Sequence, residues 1–296
     1  MAVSALPVVK PKMPASRLRN WLGVLPFFIF ALLFLLLPSL RIFVGSFTNA
    51  NGQFTLDNVI QVFGQRAFLN SYWLSIQIST VTALGGGILG FLLAYSVTVG
   101  GLPKPMRSIL ITFSGVASNF AGVPLAFAFV ATLGRTGFIT ALLKDVFHWN
   151  IYNQGFNLYS FAGLALVYMY FQFPLMVLIM APALDGLKKE WREAAENLGA
   201  SPTQYWLQVA MPILLPSILG SMILLFGNAF GAYATAYALT GGALNIITIQ
   251  IGAQIRGDVL HNPGLGYAMA LGMVFIMSIS LAGYSWLQGR TERWLK

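Results

Sequence analysis

The stretch from Asp185 to Pro216, DGLKKEWREAAENLGASPTQYWLQVAMPILLP, concentrates the ionisable chemistry of this chain. It carries four of the eight acids, Asp185, Glu190, Glu193 and Glu196, beside Lys188, Lys189 and Arg192. Glu193 and Glu196 on a short helix offer fixed negative charge for pairing with a partner's arginines. Little else suits reactive chemistry. There is no cysteine, which removes disulfides, thiol catalysis and thiolate metal sites. His148 and His261 stand far apart without carboxylate clusters, so no metal site is expected. No Ser-His-Asp or paired-carboxylate arrangement is discernible, and no residue is assigned as catalytic.

The remaining polar groups of interest lie within apolar runs. They are Ser114, Ser118 and Asn119, then Tyr168, Tyr170 and Gln172, then Asn228, Tyr233 and Tyr237. Polar residues at membrane depth mark candidate pathway positions. The same groups serve equally well as hydrogen-bonding links between helices. Phe226, Phe230, Tyr233 and Tyr237, spaced 4, 3 and 4, predict one aromatic helix face. Gly227, Gly231, Ala234 and Ala238 predict a small-residue face beside it, suited to close packing. Ser118, Asn119, Tyr170, Gln172, Asn228, Tyr233 and Tyr237 are therefore the expected lining of a translocation pathway.

The elements that must position these residues follow from composition. Of 296 residues, 57% are hydrophobic and 8% charged, where a soluble domain carries about a quarter charged residues. The medium around most of the chain is lipid, and the apolar runs divide into an all-α membrane protein of six spans. These are expected at about 21–47, 68–97, 108–133, 159–183, 216–240 and 265–287, with tails at 1–20 and 289–296. Pro7, Pro11 and Pro14 argue against a long helix in the first tail. Pro38 is expected to bend the first span. Residues 138–147 have apolar positions at helical spacing and read as a helix on the membrane surface. The net charge of +9 fits basic residues in cytoplasmic segments better than nucleic-acid binding. With both ends inside, Lys10, Lys12, Arg17, Arg19, Lys104, Arg107, Lys188, Lys189, Arg192, Arg290, Arg293 and Lys296 are cytoplasmic. Only Arg41, Arg66, Arg135, Lys144 and Arg256 fall outside. That asymmetry sets the orientation and places the charged stretch in the cytoplasm.

Within the stretch, Leu187, Trp191, Ala194, Ala195 and Leu198 share one face of a helix over 186–198. Gly199 follows as the residue past its end, where a left-handed conformation is cheap. Ser201-Pro202 reads as an N-cap with proline at the first helical position. A second short helix is predicted over 202–210, closed by Pro212, with re-entry into the membrane at Pro216.

Glu193-Ala194-Ala195, then Leu198-Gly199-Ala200, then Met211-Pro212 and Ile213-Leu214-Leu215-Pro216 resemble the EAA loop of permease subunits of bacterial type I ATP-binding-cassette importers. Met211 departs mildly from the leucine usual there. The likeness extends over nearly the whole chain, and the first span looks most like the spermidine/putrescine branch, which is related to iron(III) and phosphonate importers. The resemblance implies a coupling helix that docks on an ATPase through Glu193, Ala194, Ala195, Glu196, Gly199, Ala200 and Pro202. It also implies a multi-pass protein of the bacterial inner membrane. Its partners would be an ATPase dimer, a second permease subunit (identical or related) and an extracytoplasmic solute-binding protein. The chain contains no phosphate-binding loop of its own, so no cofactor is expected in it; ATP and magnesium would be bound by the ATPase. A secondary transporter or channel is the alternative. Such proteins often carry charges inside their spans, and none is expected in mid-span here.

Overall fold

A computed structural model of the chain describes residues 15–257 and 261–291. The expected tails lie outside the described residues over 1–14 and 292–296. Helix α1 begins at Ala15 and runs to Ala31, so the chain is helical before the expected start of the first span at 21. It continues without interruption through a π-helical turn, Leu32–Leu36, into α2, Leu37–Ser46. Pro38 has no N–H, and its ring crowds the carbonyl four residues back. The preceding wide turn accommodates this, with the Leu37 N–H reaching back five residues to the Leu32 carbonyl.

The helices that follow are α3, Asp57–Gly64; α4, Arg66–Thr98; α5, Lys104–Asn119; α6, Gly122–Leu133; and α7, Phe138–Phe147. Then come α8, Phe161–Asp185; α9, Lys189–Asn197; and α10, Pro202–Tyr205. A second π turn, Trp206–Ala210, leads into α11, Met211–Phe230. The described residues end with α12, Ala234–Thr240; α13, Ile247–Arg256; and α14, Pro263–Thr291. Among the described residues the only β pairing is a single bridge, Thr48 to Phe54. The molecule is an all-α membrane fold, and among the described residues six stretches are long and apolar enough to cross a bilayer.

Two spans are interrupted, contrary to the expectation of continuous helices. The third breaks at Phe120-Ala121, between α5 and α6. Gly122 there takes a positive φ of 75°, and Pro124 sits in the first turn of α6, where a missing N–H has no intrahelical partner to lose. Length and apolarity alone would extend the crossing stretch past α6 to Phe147, but the turn at 134–137 separates α7 from α6. The fifth breaks at Gly231-Ala232-Tyr233, between α11 and α12. The predicted aromatic face is therefore split. Phe226 and Phe230 stack on one side of the break, and Tyr233 and Tyr237 stack beyond it. Phe230 is buried in a cluster with Phe68, Tyr72 and Met269.

The core forms where α4 lies along α8. Gly86 and Gly90 permit the approach: a Cβ on Gly86 would sit 2.5 Å from the Gln172 Cβ, and one on Gly90 would sit 2.4 Å from the Phe173 carbonyl oxygen. Ser71, Ser75, Ser79 and Thr82 form a buried hydroxyl stripe on α4, each donating to the carbonyl four residues back. This local bonding removes the cost of burying them and leaves their oxygens free to accept. Ser75 Oγ accepts the Ile247 N–H at 2.8 Å, which fixes the start of α13. Gln172, buried on α8, donates through Nε2 to Thr82 Oγ1 at 3.2 Å and to the Leu225 carbonyl at 3.1 Å. It ties α4, α8 and α11 together.

Gly90→Ala is expected to destabilise the protein by roughly 1–3 kcal/mol, the range for overpacking a dense contact. Gly283→Ala, with nothing within 4 Å of the added methyl, is expected to be neutral or slightly stabilising. Denaturant-titrated unfolding of the two variants in detergent checks the contrast.

Candidate functional site

The charged loop is built from its ends inward. α8 stops at Asp185, whose carboxylate pairs with Arg107 at the start of α5. α9 has Glu190 in its first turn, where a carboxylate favours the helix dipole. Its other end closes as a Schellman motif. The Gly199 N–H donates to the Glu196 carbonyl at 2.9 Å and the Ala200 N–H to the Ala195 carbonyl at 3.0 Å. Gly199 takes φ +80°, the conformation expected for it. Ser201 caps α10 in a full capping box: its Oγ accepts the Gln204 N–H and the Gln204 side chain accepts the Ser201 N–H.

Pro212 does not end this second helix. The π turn at Trp206–Ala210 accommodates it, with the Met211 N–H bonding to the Trp206 carbonyl. A single helical run therefore extends from Pro202 to Phe230. The underside of α9 packs on the run's start, where Ala195, Tyr205 and Ala210 form a small core with Leu187, Trp191 and Trp206. Trp206 meets Tyr95 of α4 edge to face at 4.9 Å, so the loop is anchored to the membrane core.

The upper side of α9 is uncovered. Glu190, Glu193, Ala194, Asn197 and Leu198 are all exposed, and their spacing places them on one stripe. Leu198 is 88% exposed and Ala194 is exposed as well, so of the five residues expected on one helix face only Leu187, Trp191 and Ala195 pack beneath the helix. Glu196 is engaged within the helix by Arg192 at 2.8 Å, and that hydrogen bond and the carboxylate's charge raise the guanidinium pKa. Glu193 makes no ion pair among the described residues. Its negative charge is available, whereas that of Glu196 is already shared. A groove of about 730 Å³ runs beside the loop, lined in part by Tyr95, Lys188, Arg192, Ser201 and Trp206.

The two helix breaks meet in a cleft of about 360 Å³ lined by Ser118, Gly122, Phe171, Asn228, Ala232 and Thr235, with small residues between them. Non-helical backbone at membrane depth needs other partners, and here it has them. Gly122 N–H donates to Thr235 Oγ1 at 2.7 Å. The Ala232 carbonyl accepts from the Tyr168 hydroxyl at 2.7 Å and from Thr248 Oγ1 at 3.4 Å. Each break is thus held by side chains of other elements, and the first break is held by the helix that follows the second.

Of the pathway residues expected from sequence, Ser118 and Asn228 line this cleft. The others do not. Asn119 is exposed and donates to the Gly115 carbonyl. Tyr170 packs edge-on between Phe120 and Phe129. Gln172 is buried in the three-helix contact. Tyr233 lies under the Arg256 guanidinium at 5.2 Å, and Tyr237 stacks on Tyr233. Thr235 and the unwound backbone were missed by sequence reasoning. Gly122 with Pro124, and Gly231, were the available signals. Among the described residues no three His, Asp or Glu side chains gather as a metal site would require.

Three comparisons bear on this geometry. A putative ferric transport system permease protein of Haemophilus influenzae is 24% identical over 87% of the chain, and the chain spans only 40% of that relative's length. A spermidine/putrescine transport system permease protein of the same species is 23% identical, over 87% of this chain and 90% of the relative. A crystal structure of a bacterial ABC transporter involved in the import of the acidic polysaccharide alginate contains a chain of the same fold, with a TM-score of 0.70 at 17% identity, covering 95% of this chain and 99% of that one. The profile of the family described as binding-protein-dependent transport system inner membrane component matches residues 86–296. That match takes in both helix breaks and the whole charged loop, and the chain belongs to this family.

Proposed function

We propose that the chain is the membrane subunit of an ATP-driven type I importer, which forms the solute pathway and receives the ATPase on α9. The observation that carries the reading is α9 itself. It is closed by a Schellman turn at its C-terminal end and packed beneath, yet on its free side it presents a protruding Leu198 and a Glu193 that has no ion pair among the described residues. An apolar side chain held in water on a rigid platform gains about 1.5–3 kcal/mol when a partner covers it. Glu193 supplies the adjacent charge for a partner arginine. With Gly199, Ala200 and Pro202 shaping the turn, the loop is a preorganised docking surface.

The ATPase would form a dimer carrying ATP and magnesium. The other partners are a second permease subunit, identical or related, and an extracytoplasmic solute-binding protein. The chain would sit in a bacterial inner membrane with both ends and the loop in the cytoplasm, as the distribution of lysine and arginine favours. ATP-driven closure of the ATPases would push on α9, and α8 and the Pro202–Phe230 run would carry the displacement to the cleft, where Phe171 and Asn228 lie.

The cleft offers a hydroxyl pair, one amide, an aromatic ring and unwound backbone to a passing solute, with no ionisable side chain in its lining. That lining suits a small solute handed over by a binding protein better than ion-coupled transport, which relies on intramembrane charges. A polyamine cargo has the support of the spermidine/putrescine relative but no carboxylate in the cleft, and the ferric relative is as similar.

Leu198→Asp should weaken ATPase association by about tenfold to a hundredfold, the equivalent of losing one buried leucine, while membrane insertion is unchanged. Glu193→Lys and Gly199→Asp should abolish transport with insertion retained; the second forces a side chain into a left-handed conformation costing about 1–2 kcal/mol. Co-purification of the ATPase at wild-type yield with all three variants would contradict the docking role. For the pathway, Asn228→Ala should change substrate-stimulated ATPase activity in the assembled transporter. An unaltered response would remove that residue from the route.

A further inference from the structure

At the far end of α8 from the charged loop, about 37 Å along this 25-residue helix, lies a cavity of about 450 Å³. It opens between the end of α6, helix α7 and the turn that follows. α7 has two distinct sides. Phe138, Leu142, Val146 and Phe147 are exposed on one, whereas Thr140, Lys144 and Asp145 face the cavity on the other. A helix with an uncovered apolar side and a polar opposite side belongs in the headgroup layer of a bilayer. Trp149, just past its end and half exposed, is a residue type enriched at that depth.

The cavity is rich in donors. Arg135 and Lys144 enter it against a single carboxylate, Asp145, and no ion pair joins them among the described residues. Arg135 is held in place over the Tyr152 ring at 5.6 Å, and the Tyr152 hydroxyl is itself fixed to the Leu133 carbonyl at 2.8 Å. Asn150 accepts the Tyr152 N–H through Oδ1, which leaves its amide hydrogens to donate. Thr140 is 4% exposed and, among the described residues, its Oγ1 has no hydrogen-bond partner; it stands in the first turn of α7, where no helical carbonyl lies four residues back for it to use. A bound oxyanion would give this hydroxyl the acceptor it lacks.

We propose that this cavity binds the phosphate of an anionic phospholipid, gripped by Arg135 and Lys144, with the acyl chains lying along the exposed side of α7. The adjacent uncovered apolar surface favours a lipid over a soluble anion. The site's chemistry is independent of which membrane face it occupies.

The test uses the full-length protein in detergent, titrated with phosphatidylglycerol or phosphatidylcholine of matched chains and read by native mass spectrometry. Phosphatidylglycerol should be held at least about tenfold more tightly, the scale set by two basic residues at a lipid surface. Arg135→Ala combined with Lys144→Ala should reduce retention to the phosphatidylcholine level. Arg135→Lys combined with Lys144→Arg should keep the preference, which separates loss of charge from loss of fold. Equal retention of the two lipids by the wild type, or an unchanged preference in the double alanine variant, overturns the proposal. Inorganic phosphate alone should protect only weakly against thermal unfolding; protection matching that of phosphatidylglycerol would assign the site to a soluble anion and overturn the lipid assignment.

Discussion

The carbonyl of Ala232 and the N–H of Gly122 lie where two helices have stopped, in a region that lipid or protein must fill. Water cannot be relied on there, and an unsatisfied backbone group costs several kcal/mol. Tyr168, Thr248 and Thr235 supply the missing partners. That requirement fixes the relation of α8, α12 and α13 to the two breaks. It also explains why the cleft is lined by small residues: side chains must come close enough to reach the backbone they satisfy. The packing of α4 on α8, with Gly86 and Gly90 at the contact and Gln172 bridging to α11, holds these partners at the right distance. A pathway residue such as Asn228 is then positioned by a scaffold rather than by its own contacts.

The same helices extend to the charged loop. α8 passes Phe171 at the cleft and ends at Asp185, where the loop begins. The Pro202–Phe230 run begins at the Ser201 cap and ends at the second break. Its 29 residues span about 43 Å. A hinge at Pro212 would have separated the docking surface from the cleft. The π turn at Trp206–Ala210 keeps the run continuous, so a force on α9 has two direct routes into the membrane core.

Local punctuation was legible in the sequence because its causes are local. Gly199 requires a left-handed conformation, and Ser201-Pro202-Thr203-Gln204 contains all the atoms of a capping box. The six-span, all-α architecture was likewise written in composition. What was not legible depends on partners distant in sequence. The apolar runs continue across both breaks, and only Tyr168, Thr235 and Thr248, brought from elsewhere, make the breaks affordable. Gln172 read as a pathway residue because its amide is polar, but its neighbours Thr82 and Leu225 consume its donors. Leu198 shares its helical spacing with Trp191 and Ala195, yet it lies just past the last residue of α9 and is exposed, which leaves the packed face to them. Pro212 read as a stop, since proline statistics carry no knowledge of a wide turn one residue before it.

The central claim is that the docking loop and the helix lining the cleft move as one rigid body. The absence of cysteine makes it directly measurable. Spin labels at Thr203→Cys and Leu224→Cys, both exposed positions, lie 21 residues apart on the run, or about 31 Å along its axis. Pulsed electron resonance on the protein assembled with its ATPase should give one narrow distance distribution, the same with and without nucleotide. A distribution that splits or shifts by several ångströms when nucleotide is added would place a hinge at Trp206–Ala210 and contradict the account.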